Sequence, residues 1–152
     1  MTQSAIDSVA SDMATIRSWG MASPGVSAPE IDTINVLIGD GTNVLTTGIK
    51  AALHIDFNAY LHAAYIHEFD GVTGSVVIAI EKATYIVGSA PTFANIVASA
   101  PPSITSARYG ANETLTGWNR NLYRNEVVRF SITSVSAFTR LLIALRVRRL
   151  EP

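Results

Sequence analysis

A chain without cysteine leaves acid–base and metal chemistry to its histidines and carboxylates, and neither set falls into a working pattern. The histidines are His54, His62 and His67. A metal site needs ligands that converge on one point, and no H-x-H pair or H-E-x-x-H run brings that about. On one regular strand His62 and His67 face opposite ways and His54 sits on another, so surface or interface roles are expected. Among the carboxylates, Glu68, Asp70, Glu81, Glu113 and Glu126 could support glycoside hydrolysis if two of them stood about 5–9.5 Å apart. Their places near strand ends and on outward faces are those any β protein shows. The sequence has no G-x-S-x-G elbow, Walker A loop or G-x-G-x-x-G fingerprint, and Gly39-Asp40-Gly41 reads as a turn. A non-enzymatic protein that needs no metal or cofactor is expected.

Binding chemistry is better represented. Arg140, Arg146, Arg148 and Arg149, with Arg129 opposite, alternate so as to form an outward basic stripe, with Leu142 and Ala144 between them. A nucleic-acid platform would interleave aromatics there, and this stripe has none. Bidentate pairing with carboxylates across a subunit interface suits arginine, and the neighbouring Leu142 suits a partly apolar contact. A plain solvated face is the competing reading. Trp118 and Tyr123 could stack on a sugar, although a large aromatic closing a core is the commoner use of such a residue.

The elements that must position these residues are strands. Val128, Phe130 and Ile132 alternate with Arg129, Ser131 and Thr133, and Leu141, Ile143, Leu145 and Val147 alternate with the arginines. A period of two marks strands with one buried face, and the run Asn125–Arg148 is expected to be a β-hairpin turning near Val135, Ser136 and Ala137. Upstream, Ile34, Val36 and Ile38 mark a first strand. Gly48–Phe57 marks a second, with Ile49, Ala51, Leu53, Ile55 and Phe57 inward. Tyr60–Phe69 is a blurred third and Ser75–Thr84 a fourth, with Val76, Ile78 and Ile80 inward. Ile86–Ser103, broken by Gly88, Pro91, Pro101 and Pro102, is a long connection. Ile104–Trp118 supplies one or two more strands. Seven to eight short strands without intervening helices predict a mainly β protein, an antiparallel, jelly-roll-like β-sandwich over residues 31–152.

Residues 1–30 read as an appendage: a short N-terminal helix or arm followed by a Pro/Gly linker. Ile6, Val9, Met13 and Ile16 recur at spacings of three and four, Ser4 with Asp7 makes a start signal, and Trp19 precedes Gly20. So short a helix is marginal in water and needs a surface for its stripe. That surface is either its own domain or a neighbouring subunit.

The 152 residues fit one domain, in which folding buries roughly 70% of the chain's surface. The 11 Lys and Arg nearly balance 12 Asp and Glu, which argues against a general nucleic-acid binder. Charged residues make up 15% where about 25% is usual, so part of the surface is expected to meet other subunits. No apolar run approaches the roughly 20 residues of a membrane-spanning helix, and Asp7 and Asp12 interrupt any signal-peptide core. A protein made inside a cell, or released by lysis, is expected.

The segments LTTGIKA at Leu45–Ala51, LHIDF at Leu53–Phe57, GSVVIAIEKATY at Gly74–Tyr85, Pro91-Thr92, LTGW at Leu115–Trp118 and NEVVRF at Asn125–Phe130 together resemble a β-sandwich module of tailed-bacteriophage structural proteins. The resemblance spans about residues 34–149. It implies a capsid decoration (cement), head-fibre or tail-fibre role, commonly as a homotrimer. There is no long shaft before the sandwich here, which favours decoration of the phage head by clamping the major capsid protein from outside. The virion's capsid surface would be its location and the host cytoplasm its place of synthesis, with no nucleic acid or membrane as partner. The sequence-level contact candidates are Ile6, Val9, Met13, Ile16 and Trp19 in the arm, and Arg140, Leu142, Arg146 and Arg148 in the sandwich. The competing class is a carbohydrate- or receptor-binding module, with a glycan held by aromatics and the Asn119–Asn125 loop.

Overall fold

Alternation of β-branched and aromatic residues with small polar ones favours extended chain that buries one face. The computed structural model describes residues 30–150, and these form strands without any helix. They are β1 (Glu30–Gly39), β2 (Gly48–His54), β3 (Ala59–His67), β4 (Gly74–Thr84), β5 (Ala94–Asn95), β6 (Ser103–Ala107), β7 (Tyr109–Asn112), β8 (Asn121–Leu122), β9 (Glu126–Ser136) and β10 (Arg140–Arg149). The expected N-terminal helix lies outside the described residues.

Every strand pairing is antiparallel. The first sheet runs β1-β10-β3-β7, with β8 sharing the β3 edge, and the second runs β2-β9-β4-β5, with β6 sharing the β4 edge. Taking β5 with β6 and β7 with β8 as single positions leaves eight. The first pairs with the last, the second with the seventh, the third with the sixth and the fourth with the fifth. This nested pairing is the wrap of a jelly roll, and the β-sandwich expectation holds. Between the sheets lie Val36, Leu61, Ile66, Leu141, Ile143 and Leu145 from one side and Val76, Ile78, Ile80, Phe130 and Ile132 from the other, each almost wholly buried.

The expected C-terminal hairpin does not exist. The strands β9 and β10 belong to opposite sheets, where β9 pairs with β2 and β4 while β10 pairs with β1 and β3. Their apolar faces oppose each other across the core instead of lying side by side. Alternation reports which face is buried and says nothing of which edge is hydrogen-bonded, so either geometry satisfies the pattern. The three residues between them make the crossing. Ala137 adopts a left-handed φ of 69°, Phe138 is fully buried, and its carbonyl accepts the Leu45 amide at 2.8 Å.

Two bulges account for the other departures. One between Ile49 and Ala51 shifts β2 against β9 and leaves Ile49, expected inward, 59% exposed. The other lies opposite Arg146 and Val147, where Ala63 pairs with Arg146 and Leu61 with Val147, so His62 is the extra residue in β3. A bulge sets two residues against one, which explains the blurred period of the third strand. It also overturns the opposite-face placement of His62 and His67: both lie on the outer face of the first sheet, with Tyr60 and Tyr65 as their neighbours.

Candidate subunit contact surface

The outer face of the first sheet carries two rows of uncharged side chains. The register sets Leu37 beside Leu142, Leu142 beside His67 and His67 beside Tyr109. The next row is Asn35, Ala144, Tyr65 and Ala111. Neither row holds a formal charge at neutral pH with histidine neutral. Leu37 is 58% and Tyr109 51% exposed. The His67 ring stacks on Tyr65 at 6.3 Å and lies 5.0 Å from Tyr109, so the aromatic end is a preformed platform. Sequence reasoning named Leu142, gave His67 only a general surface or interface role, and missed Leu37, Tyr65 and Tyr109. The repeated Tyr-x-His spacing at Tyr60–His62 and Tyr65–His67 was the available signal.

Beyond these rows the face becomes basic. Arg146 pairs across the strands with Thr33 and Ala63, and Arg148 with Ile31 and Tyr60. Both side chains are exposed and form no ion pair among the described residues. Arg146 borders a cleft of about 320 Å³ with Ile31, His62, Ala63, Tyr65 and Glu113. There the Tyr65 hydroxyl donates to Glu113 at 3.2 Å. The His62 Nε2 is buried beside it without a hydrogen-bond partner among the described residues.

Arg140 is already engaged. Its guanidinium forms a two-pronged pair with Asp70 and lies 4.7 Å from the Phe69 ring centre. The Asp70 hydrogen bond pushes its pKa above the ordinary arginine value. Arg129, expected in the same stripe, sits on the other sheet, where it pairs with Glu81 at 3.1 Å and covers Phe93 at 3.8 Å. The arm residues Ile6, Val9, Met13, Ile16 and Trp19 lie outside the described residues.

No known protein family matches this chain, and no curated protein does either. Among solved structures, "Structure of infectious bursal disease virus Gx strain" matches at 8% identity with a TM-score of 0.23, covering 84% of this chain and 45% of that one. The chain therefore spans under half the length of that structure, and overlap this slight relates neither fold nor function.

The remaining polar candidates serve the fold. Glu68 and Glu126, expected on the surface, are buried at 7% and 4% exposure. Glu68 accepts the amides of Gly71 and Val72 at 3.2 and 3.0 Å and the Arg108 Nε at 3.0 Å. Burial raises its pKa, but the Arg108 hydrogen bond and the amides of Asp70 and Val72 outweigh it and leave the pKa below the ordinary carboxylate value. Glu126 holds Lys82 at 3.1 Å and accepts the Tyr123 amide. Trp118 is 7% exposed, and its Nε1 donates to the Ala100 carbonyl at 2.8 Å. It is therefore a core residue and not a sugar platform. Among the described residues no group of three or more His, Asp or Glu side chains is arranged to hold a metal ion.

Proposed function

We propose that this protein is a virion structural protein of the tailed-phage kind: a capsid decoration protein that binds the outside of the head and bridges neighbouring subunits of the major capsid protein. It acts as a homotrimer on the capsid surface after synthesis in the host cytoplasm, and it works by binding, without chemistry, nucleic acid or membrane. The observation that carries this reading is the outer face of the β1-β10-β3-β7 sheet, where two uncharged rows from Leu37 to Tyr109 and from Asn35 to Ala111 are rimmed by Arg146 and Arg148, which form no ion pair among the described residues. Fully burying a large apolar side chain contributes about 1.5–3 kcal/mol, whereas an exposed ion pair contributes about 0–1. The rows thus supply affinity, and the arginines set orientation and partner choice.

A protein that binds the assembled shell but not free subunits shifts assembly toward the shell by mass action. The test is the stoichiometry of purified virions and the recovery of stripped heads. Tens to hundreds of copies per particle and re-binding to stripped heads are expected. A handful of copies, with binding to host cells or polysaccharide, would replace this reading with a fibre-tip, glycan-binding one.

A further inference from the structure

A strand at the edge of a sheet offers every second N–H and C=O to another strand, and natural sheets blunt such edges by shortness, lysine or bulges. Most edges here follow that rule. Among the described residues β5 and β8 have two residues each, β7 four and β6 five, and the longer β2 is broken by a bulge whose extra residue is Lys50. β1 is the exception. It runs ten residues without lysine or proline, pairs with β10 alone among the described residues, and holds an unshifted register from Glu30 opposite Arg149 to Gly39 opposite Arg140. Both of its carboxylates are engaged, Glu30 with Arg149 at 3.7 Å and Asp32 with the Thr33 amide at 2.8 Å. The Thr33 amide therefore points away from β10. By the alternation of an antiparallel ladder, Ile31, Asn35 and Leu37 turn their N–H and C=O groups the same way.

We propose that this edge takes β1 of a second copy, antiparallel, about a two-fold axis at Ile34. The strand is complementary to itself in that register. Ile31 and Leu37, 50% and 58% exposed, come opposite each other, and Thr33 comes opposite Asn35, in the reciprocal way an isologous contact requires. Alternation with the buried Val36 and Ile38 puts all four on the outer face of the first sheet. Leu142 and Leu37 of one copy then continue into Ile31 of the other as one apolar row. Asp32 faces Val36 and Glu30 faces Ile38, so no carboxylate opposes another. Moving the axis one residue either way sets Ile31 against Asn35 or Gly39 and loses the apolar pair. On pairing, the Thr33 amide exchanges the Asp32 oxygen for the Asn35 carbonyl of the second copy, and main-chain bonds of this kind supply the affinity of strand addition. The edge uses backbone groups that the sheet face does not, so the pairing adds a two-fold contact to a face-mediated trimer and stands whether or not that face meets a capsid.

The chain has no cysteine, so a single introduced one reports without background. In the full-length chain Ile34→Cys is expected to oxidise to a disulfide-linked species of twice the chain mass, because opposite residues of a non-hydrogen-bonded pair lie about 4.5 Å apart at Cα, within disulfide range. Thr33→Cys is expected to bridge several-fold less, since Thr33 meets its own counterpart only diagonally, at about 7–8 Å. No bridge at Ile34, or equal bridging at both positions, overturns the proposal. Occupation of the edge by any other strand leaves Ile34→Cys unbridged and overturns it as well. Independently, Asn35→Pro removes one outward N–H, which an edge strand tolerates, and is expected to halve the mass seen by light scattering with Tm nearly kept. An unchanged mass overturns the proposal, and the two cysteine variants decide it if the proline variant fails to fold.

Discussion

The Arg140 guanidinium holds both oxygens of Asp70, seventy residues earlier, with Nε 3.2 Å from Oδ2 and Nη2 2.5 Å from Oδ1. This fork ties the start of β10 to the loop between β3 and β4, across the top of the apolar row that includes Leu142. Arg140→Lys keeps the charge and loses the bidentate geometry, so it should lower Tm nearly as much as Arg140→Ala. In a double-mutant cycle with Asp70→Asn the effects should be far from additive. Additive shifts would show that the pair contributes nothing of its own.

Acid sensitivity should trace to two carboxylates. Amides of Thr42 and Asn43 draw the Asp40 pKa down to about 2, and Glu68 lies below its ordinary 4.5. A carboxylate with a lowered folded-state pKa contributes stability that is complete above its unfolded pKa and is lost as pH falls through the folded value. Stability should therefore decline below about pH 4.5 and continue falling toward pH 2. Glu68→Gln should cost about 1–3 kcal/mol at neutral pH, because it weakens the hydrogen bonds of several amides at once, and should flatten the decline. Urea titrations at stepped pH measure both effects.

Phe138 sits fully buried in the three-residue crossing between sheets. Phe138→Ala should cost about 3–5 kcal/mol through the cavity it leaves, and Phe138→Leu clearly less. Equilibrium urea unfolding gives the comparison, and a loss under about 1 kcal/mol for the alanine variant would show that the crossing collapses to fill the space.

Gly110 is required by space and not by backbone angle. A Cβ there would stand 2.0 Å from the Ser103 carbonyl oxygen, where β6 of one sheet passes β7 of the other. Gly110→Ala should force these strands apart and destabilise the fold by more than the roughly 0.5–1 kcal/mol ordinary for glycine exchanges. Amide exchange should quicken first in β6 and β7.

On the sheet face, Arg146→Ser with Arg148→Ser should leave Tm unchanged and weaken self-association or capsid binding, with a lower salt dependence. Leu37→Ser should weaken it more, given the larger apolar contribution. Light scattering and capsid pull-down separate the two. Full association in both variants would return this face to solvent.

Much of the sandwich was legible from alternation alone. Val76, Ile78 and Ile80, and Val128, Phe130 and Ile132, occupy the core as their period of two requires. Irregularities escaped because a bulge inserts one residue without any marking in side-chain type, which hid the exposure of Ile49 and the shared face of His62 and His67. The proposed contact face was half legible. Leu142, Arg146 and Arg148 could be named from one strand, but Leu37 and Tyr109 join them only through pairings with β1 and β7. Glu68 and Glu126 read as surface residues because nothing local announces that loop amides and a cation will surround a carboxylate.

What the chain's own order of residues determined is the set of strands and the face each one buries, since the transfer of apolar side chains from water depends on side-chain type and spacing. Tertiary structure alone decided the partners. β9 and β10 carry patterns equally fit for a hairpin or for opposing sheets, and the choice rests on distant strands: β2 and β4 satisfy the backbone edges of β9, and β1 and β3 those of β10. Hydrogen-bonding edges carry no side-chain signature, so that choice is written nowhere in the run Asn125–Arg148 itself.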